Sequence, residues 1–551
     1  MKNRRVMVIG LDGATFNLIK PWVKEGKLPT FKKLMQKGVY GNLKSTIPWA
    51  TIPAWPSFAT GCNPGKHGFY DFFKEKKDSY DLTVELQPSK AVKQPTLWEI
   101  LSWHKKKVAV INVPATYPPT KINGYMVTGM FTPSGAKFTY PPEFEEEIRK
   151  KIGRYNVFFS SLSSKNPESL LEDLMDTLDQ RVRLVKYLWD EKSPDFLMMV
   201  DNGTDRAEHE LWKFIDPMNP LYNPRNVEKY GNPLLKYYQY VDQKLQEILN
   251  LLDEETILIV MSDHGQSSLR KFVNLNLFLI EEGFMVIKSK IFSKLKFFLF
   301  NHGLTPSNLY RFLKKIGIER LATDRVSPAK RLLILNRFFF STSDIEWSKT
   351  KAFASGVTGA ITLNVKGRQP IGVVNPGTEY ESVREEIINK LSELKDPETG
   401  DYVVRKVYKR EEIYEGPYLN QAPDIIATPN DYYEFFGMHG FSFNKVIDYT
   451  FANSGEHTLN GIFIAVGEGI KRGVEIEGAN IIDVAPTILY IMGVPVPVNM
   501  DGKVLEEIFE ENGELVGREV EYQEKDYERE NIKGRIKGLK IKTDKIRDNR
   551  K

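Results

Sequence analysis

Short, uninterrupted apolar runs punctuate the chain: Val6–Leu11 (VMVIGL), Val108–Val113 (VAVINV), Phe196–Val200 (FLMMV), Thr256–Met261 (TILIVM) and Ile462–Val466 (IFIAV). None alternates polar with apolar, so the pattern predicts strands buried on both faces, the habit of a parallel sheet. Between the third and fourth runs, Leu234, Tyr238, Val241, Leu245 and Ile248 recur at four- and three-residue steps, which places them on one helix face. Strands alternating with helices predict an α/β fold, an open doubly wound sheet with helices on both faces.

The rhythm breaks after His264. A basic-apolar stretch (IKSKIFSKLKFFLFNHG), a helical stretch near Asn308–Leu321 and a strand-like stretch at Ala360–Val374 precede the return of a sheet strand at Ile462. We therefore expect a core in two parts, residues 1–275 and 446–522, interrupted by an inserted cap subdomain over 276–445. Residues 523–551, rich in charge and poor in apolar side chains, are expected to form a disordered tail.

Composition narrows the class. The length of 551 residues exceeds the roughly 100–200 of a single domain. Hydrophobic residues at 41% and aromatics at 12% supply sizeable cores. The net charge of +5 is concentrated at the end, where the stretch from Lys525 onward holds 11 basic and 5 acidic residues. The body is close to neutral, so no nucleic-acid partner is expected. Cys62 is the single cysteine, which excludes an internal disulfide and a cysteine-based zinc site. The N-terminus has only a short apolar run before Gly10 and Asp12, and no segment approaches the ~18 apolar residues of a membrane span. A soluble, cytoplasmic protein is the expectation.

Ionisable residues collect just beyond the expected strand ends. Asp12 follows the first strand, Asp205 and His209 follow the third, Asp263 and His264 the fourth, and His457 precedes the last. Carboxyl ends of strands line the ligand crevice of an open α/β sheet, so these six side chains can converge. Each has an ordinary reading: Asp12 could cap the next helix, Asp205 and His209 could be a surface i,i+4 pair, and His457 a structural histidine. Together, three Asp and three His have the composition of two three-ligand metal sites, and the mixed donors suit zinc or manganese. A nucleophile could come from STIPWATIPAWPSFATGCNPGKHG. Spacing leaves Ser45, Thr46, Thr51 and Ser57 as alternatives, with Thr51 just before Ile52–Pro53, where a helix could begin.

The segment TIPAWPSFATGCNPGKHG resembles the nucleophile block of the type I phosphodiesterase/nucleotide pyrophosphatase family, within the alkaline phosphatase superfamily. Thr51-Ile52-Pro53, Thr60-Gly61 and Pro64 to His67-Gly68 keep that block's order and spacing. The metal motifs follow in the same chain order: Asp12, then Asp205 with His209, then Asp263-His264-Gly265, then His457. The resemblance implies an alkaline-phosphatase-like core and two divalent cations, zinc first and manganese second. One would be held by Asp205, His209 and His457, the other by Asp12, Asp263, His264 and the Thr51 oxygen. It also implies hydrolysis of a small phosphate ester through a phospho-threonine intermediate, or phosphomutase or phosphotransferase chemistry on the same scaffold. Family diesterases carry an Asn shortly after the His-Gly, where this chain has Phe69-Tyr70-Asp71-Phe72; Asn112 and Lys66 are candidates for its role. Cys62-Asn63-Pro64-Gly65-Lys66 is superficially like a sulfatase signature. It lacks the arginine and lies after the Thr-Gly, so a sulfatase is excluded.

The basic-apolar stretch over 288–300 has a second reading. Phe292, Leu295 and Leu299 could share one face with Lys288, Lys294 and Lys296 elsewhere, as in a helix lying on a membrane surface; packing of that helix on the core is the simpler expectation. Oligomeric state is not legible in the sequence.

Overall fold

The computed structural model describes residues 4–71, 73–74, 79–80, 85–86, 88–158, 166–315, 338–356, 358–436, 441–451 and 453–524. The tail beyond Glu524 and part of the expected helical stretch over 308–321 lie outside them.

Among the described residues, nine strands form the central sheet, in the order Val474–Ile476, Val39–Lys44, Asn460–Val466, Thr256–Met261, Arg5–Leu11, Phe196–Asp201, Val108–Val113, Gly124–Thr128 and Thr139–Tyr140. Arg5–Leu11 runs parallel to both neighbours, with Gly10 in register with Val200 and Met261. Side chains alternate across it. Met7 and Ile9 enter the apolar core on one face, with Leu234, Tyr238, Val241, Leu245 and Ile248. Val6 and Val8 enter the core on the other, with Trp55, Phe58 and Ile488. Both faces are covered, which is why these strands read as unbroken apolar runs.

One strand departs from expectation. Asn460–Val466 is antiparallel to Thr256–Met261 and to Val39–Lys44. A residue that precedes a strand sits at that strand's amino end. His457 can therefore lie beside the carboxyl ends of the neighbouring strands only if the chain then runs the opposite way. The Val39–Lys44, Gly124–Thr128 and Val474–Ile476 strands escaped the apolar pattern because glycine or polar residues interrupt or flank their apolar positions.

The region from Leu275 to Tyr449 carries its own apolar core, in which Phe278, Phe300, Ile361, Ile387 and Phe435 take part. A four-stranded sheet runs Ala352–Ser355, Ala360–Leu363, Ile425–Pro429, Val404–Lys409, and the Thr378–Ser392 helix lies in the same region. The region is tied to the segment that contains Thr51: Tyr414 donates to the Ile47 carbonyl at 2.6 Å and Tyr70 to the Tyr418 carbonyl at 2.7 Å.

A buried ion pair anchors the strand that leads into the site. Arg181 Nη1 lies 2.7 Å from Asp201 Oδ1, both side chains fully buried, and the Tyr237 hydroxyl donates to Asp201 Oδ2 at 2.8 Å. Removing one partner strands a charge in the core, so Arg181→Ala is expected to destabilise the fold by about 3–5 kcal/mol. Urea denaturation checks this; a loss of under ~1 kcal/mol would show that Asp201 does not depend on its cation.

Candidate functional site

Six of the expected residues meet at the carboxyl edge of the sheet. Asp12 follows Arg5–Leu11, and the next helix, Phe16–Lys24, is capped by Thr15, so Asp12 is not spent as a cap. Asp205 and His209 lie one turn apart on the Gly203–Leu211 helix. Asp263 and His264 end Thr256–Met261, and His457 sits on Gly455–Thr458, opposite Gln266 of Gly265–Ser268. Gly13 allows the approach: it has φ of 75°, and a Cβ there would stand 3.1 Å from Asp205 Cα.

The potential ligand atoms are spaced as a cation would require. Among Asp205 Oδ1, His209 Nε2 and His457 Nε2 the separations are 2.9, 3.1 and 3.3 Å. His264 Nε2 lies 3.6 Å from Asp12 Oδ1 and 3.3 Å from Asp263 Oδ2. Donors bound at the usual ~2.0–2.1 Å to a tetrahedral zinc stand roughly 3.3 Å from one another. The groups Asp205, His264, His457 and Asp12, Asp263, His264 each bring ligand atoms within 4.8 Å of one another. The His264 and His457 rings stack at 3.7 Å, joining the two groups. One is at the mouth, where the Asp205, His209 and His457 side chains are 14–16% exposed; Asp12, Asp263 and His264 are fully buried.

Tautomers and charges agree with that use. A carbonyl only accepts, so His209 Nδ1 must donate to the Gly455 carbonyl at 2.7 Å and His264 Nδ1 to that of Gly265 at 3.1 Å. In the neutral ring each Nε2 then presents a lone pair to the cluster. Asp263 Oδ2 is buried and makes no hydrogen bond among the described residues. Burial, then Asp263 and Asp205, push the Asp12 carboxyl well above its usual range. Asp263 is raised to about 7, chiefly by burial. Burial would lower His209, but the Asp205 carboxylate outweighs it and raises it to about 10, while Asp205 itself is held well below its usual range despite burial, by His209 and His457. Without a cation, Asp12 and Asp263 take up protons and Asp205 is compensated by a protonated His209; a set of carboxylates and imidazoles whose protons a cation would displace fits divalent cations.

Thr51 is buried beside the second group: its Oγ1 lies 3.3 Å from His264 Nε2 and 3.5 Å from Asp12 Oδ1. It opens the Thr51–Thr60 helix after Ala50, although Ile52 keeps extended backbone angles, so the regular turn begins one step later than expected. Two of its three rivals are occupied elsewhere, and the third, Ser45, has a buried Oγ with no hydrogen bond among the described residues. Thr46 donates to the Pro48 carbonyl at 2.8 Å. Ser57 Oγ lies 2.8 Å from His67 Nε2. His67 Nδ1 accepts from the Phe69 amide at 3.2 Å, so Nε2 carries the proton and Ser57 accepts it. Burial lowers His67 to about 3, which keeps the ring neutral. This pair supports the block without activating an oxygen. Ser57→Ala is expected to leave turnover within about threefold and cost ~1–3 kcal/mol of stability through the stranded His67 donor; parallel kinetics and urea melts test both.

Both candidates for the missing asparagine are engaged elsewhere. Asn112 donates to the carbonyls of Thr128 at 3.2 Å and Val157 at 3.1 Å, and Lys66 Nζ pairs with Asp501 Oδ1 at 2.5 Å. Both amide donors of Asn112 are spent, and Lys66 spends two of its three donors on Asp501 and on the Asn499 carbonyl at 3.0 Å. Asp71 accepts from Thr358 at 3.1 Å, and Phe72 lies outside the described residues. Cys62 is buried and its thiol is pushed up to about 12 by that burial, so it carries no thiolate chemistry.

Three supporting residues were not visible in the sequence. Trp55 Nε1 at 3.2 Å and Asn202 Nδ2 at 2.5 Å donate to Asp12 Oδ2, leaving Oδ1 toward Thr51. Gln266 Nε2 donates to Asp205 Oδ1 at 2.5 Å. Asn202 follows a strand end immediately, a position that could have marked it. For Trp55 the signal was Gly10, where a Cβ would meet the indole at 2.6 Å.

Residues 6–442 match the family described as type I phosphodiesterase / nucleotide pyrophosphatase. Phosphonoacetate hydrolase from Sinorhizobium meliloti 1021, solved in complex with phosphonoformate, is 14% identical with a TM-score of 0.50, over 89% of this chain and 96% of that one. Human ectonucleotide pyrophosphatase / phosphodiesterase 5 is 15% identical with a TM-score of 0.46, over 89% and 95%. At such identities the likeness to the hydrolase is one of fold. A search of curated proteins gives no match.

Proposed function

Because the chain belongs to the type I phosphodiesterase/nucleotide pyrophosphatase family, we propose that it hydrolyses a small phosphodiester at this cluster, with Thr51 as nucleophile. The observation that carries the reading is the position of Thr51 Oγ1 within 3.3 Å of His264 Nε2 and 3.5 Å of Asp12 Oδ1. Asp205, His209 and His457 would hold one divalent cation; Asp12, Asp263 and His264, with Thr51 Oγ1, would hold the other. Bound cations there supply Lewis-acid polarisation of the phosphoryl group and lower the pKa of a hydroxyl beside them. Zinc is the first expectation for this N/O donor set and manganese the second.

Thr51 Oγ1 attacks phosphorus in line with the ester oxygen that departs. The Oγ1–P bond forms, the P–O bond to the leaving alcohol breaks, and the hydroxyl proton ends on that alcohol. Water then attacks the phospho-threonine, releasing the monoester and restoring the hydroxyl. Trp55 and Asn202 hold Asp12, and the Gly455 and Gly265 carbonyls hold the two imidazoles, so little reorganisation is needed during reaction.

The test is hydrolysis of bis-p-nitrophenyl phosphate and p-nitrophenyl phosphate by the zinc- or manganese-loaded protein. Faster release from the diester is expected. Release from the monoester alone would make the protein a monoesterase, and silence on both, with phosphoryl transfer to an added alcohol, would favour a phosphotransferase.

A further inference from the structure

The Ile291–Asn301 helix turns its greasiest side outward. Ile291 is 81% exposed, Phe292 79%, Phe298 56%, Leu295 48% and Leu299 36%, while Ser293 and Phe300 are buried. At about 100° per residue the five exposed apolar side chains occupy one face roughly 120° wide, and Lys294 and Lys296 fall on either side of it. The inner side is held by Phe300, which lies 5.5 Å from Phe340 and 6.0 Å from Phe441, ring to ring, and by Ser293, which donates to Asp344 at 2.8 Å. The apolar stripe is therefore separate from the face that packs the helix. The turn and helix that follow expose Leu304, Leu309 and Phe312 as well.

Charge gives this surface a direction. From Gly283 to Ile318 the chain has no Asp or Glu and seven Lys or Arg residues. Lys296 has an acidic neighbour, Asp344, at 3.2 Å, and Lys288 Nζ donates to the Ser343 carbonyl at 2.7 Å. Lys290 and Lys294 are exposed. Among the described residues, no helix is long and apolar enough to cross a membrane. An apolar stripe flanked by lysines on an 11-residue helix has the chemistry to lie in the headgroup region, burying its rings while the ammonium groups reach anionic phosphates.

We propose that the Ile291–Asn301 helix is a membrane-surface docking element that seats the protein on an anionic lipid bilayer. Docking on a bilayer does not depend on the reading of the metal cluster, and flotation reads it without turnover.

The test is flotation of the full chain with vesicles of phosphatidylcholine alone and with 30 mol% phosphatidylglycerol (a composition of roughly one anionic lipid in three, where surface attraction is strong). The protein is expected to float with the anionic vesicles and stay behind with the neutral ones. Lys290→Gln/Lys294→Gln should weaken partitioning about 30-fold, from roughly fivefold per surface charge, and added salt should do the same. Phe292→Asp/Leu295→Asp should abolish it while leaving the melting temperature and p-nitrophenyl ester hydrolysis as in the parent, because both side chains are exposed. Failure of the parent to float, or flotation of the aspartate variant like the parent, overturns the proposal. So does a parent that is dimeric by light scattering and made monomeric by the aspartate pair, since a second copy would then cover the stripe.

Discussion

Thr51→Ala is expected to lower kcat against a phosphodiester by on the order of 10⁴- to 10⁶-fold, the scale seen when a covalent nucleophile is removed. The size follows from the placement of Thr51 Oγ1 against His264 and Asp12. Ser57 is committed to His67, Thr46 to the Pro48 carbonyl, and the Cys62 thiol is held protonated by burial. The change removes a hydroxyl from a buried position without introducing a charge, and the other six candidate ligands stay where the strand ends put them. Metal content, measured by elemental analysis, should therefore be nearly unchanged. Thr51→Ser retains the oxygen and should keep measurable turnover, which a purely structural role would not require. A Thr51→Ala protein that kept its parent's kcat on bis-p-nitrophenyl phosphate would falsify the assignment.

Stripping the protein with a chelator is expected to abolish hydrolysis and to lower the melting temperature, and zinc or manganese should restore both. The cluster brings Asp12, Asp205 and Asp263 close together with imidazoles whose Nε2 atoms face them. Without a cation, burial and then Asp263 and Asp205 push Asp12 up, and burial and then Asp205 push Asp263 up, so both take up protons that a cation would displace. A cation at a thousand times its dissociation constant stabilises the folded state by ~4 kcal/mol. Asp263→Asn replaces the oxygen that makes no hydrogen bond, and should remove most of the activity together with part of the metal-dependent rise in melting temperature. Full turnover by protein shown to be free of metal would end the proposed mechanism.

How much of this could be read from residues alone varies by element. The Val6–Leu11 and Thr256–Met261 runs were legible because a strand covered on both faces needs apolar residues throughout, and the residues just after them stand at the sheet's carboxyl edge whatever the rest of the fold does. Asp12, Asp263 and His264 were visible for that reason. Asp205 and His209 were visible because a four-residue step on a helix is itself a geometric statement. The direction of Asn460–Val466 was not visible, since hydrophobic period is the same for either direction of the chain.

What the sequence determined by itself is the class of fold, the set of residues capable of ligating a cation, and a short list of hydroxyls, because burial period and donor chemistry are local properties of a chain. Only the tertiary structure decided which hydroxyl stands against the cluster, which oxygen of Asp12 faces it, and which polar residues hold the ligands. Thr51, Asp12 and His264 are separated by 39 and 213 residues, and Trp55, Asn202 and Gln266 reach their carboxylates from three different elements. Such meetings depend on how strands order in a sheet and how helices pack on it, and the cooperative packing of both faces leaves no trace in any one stretch of residues.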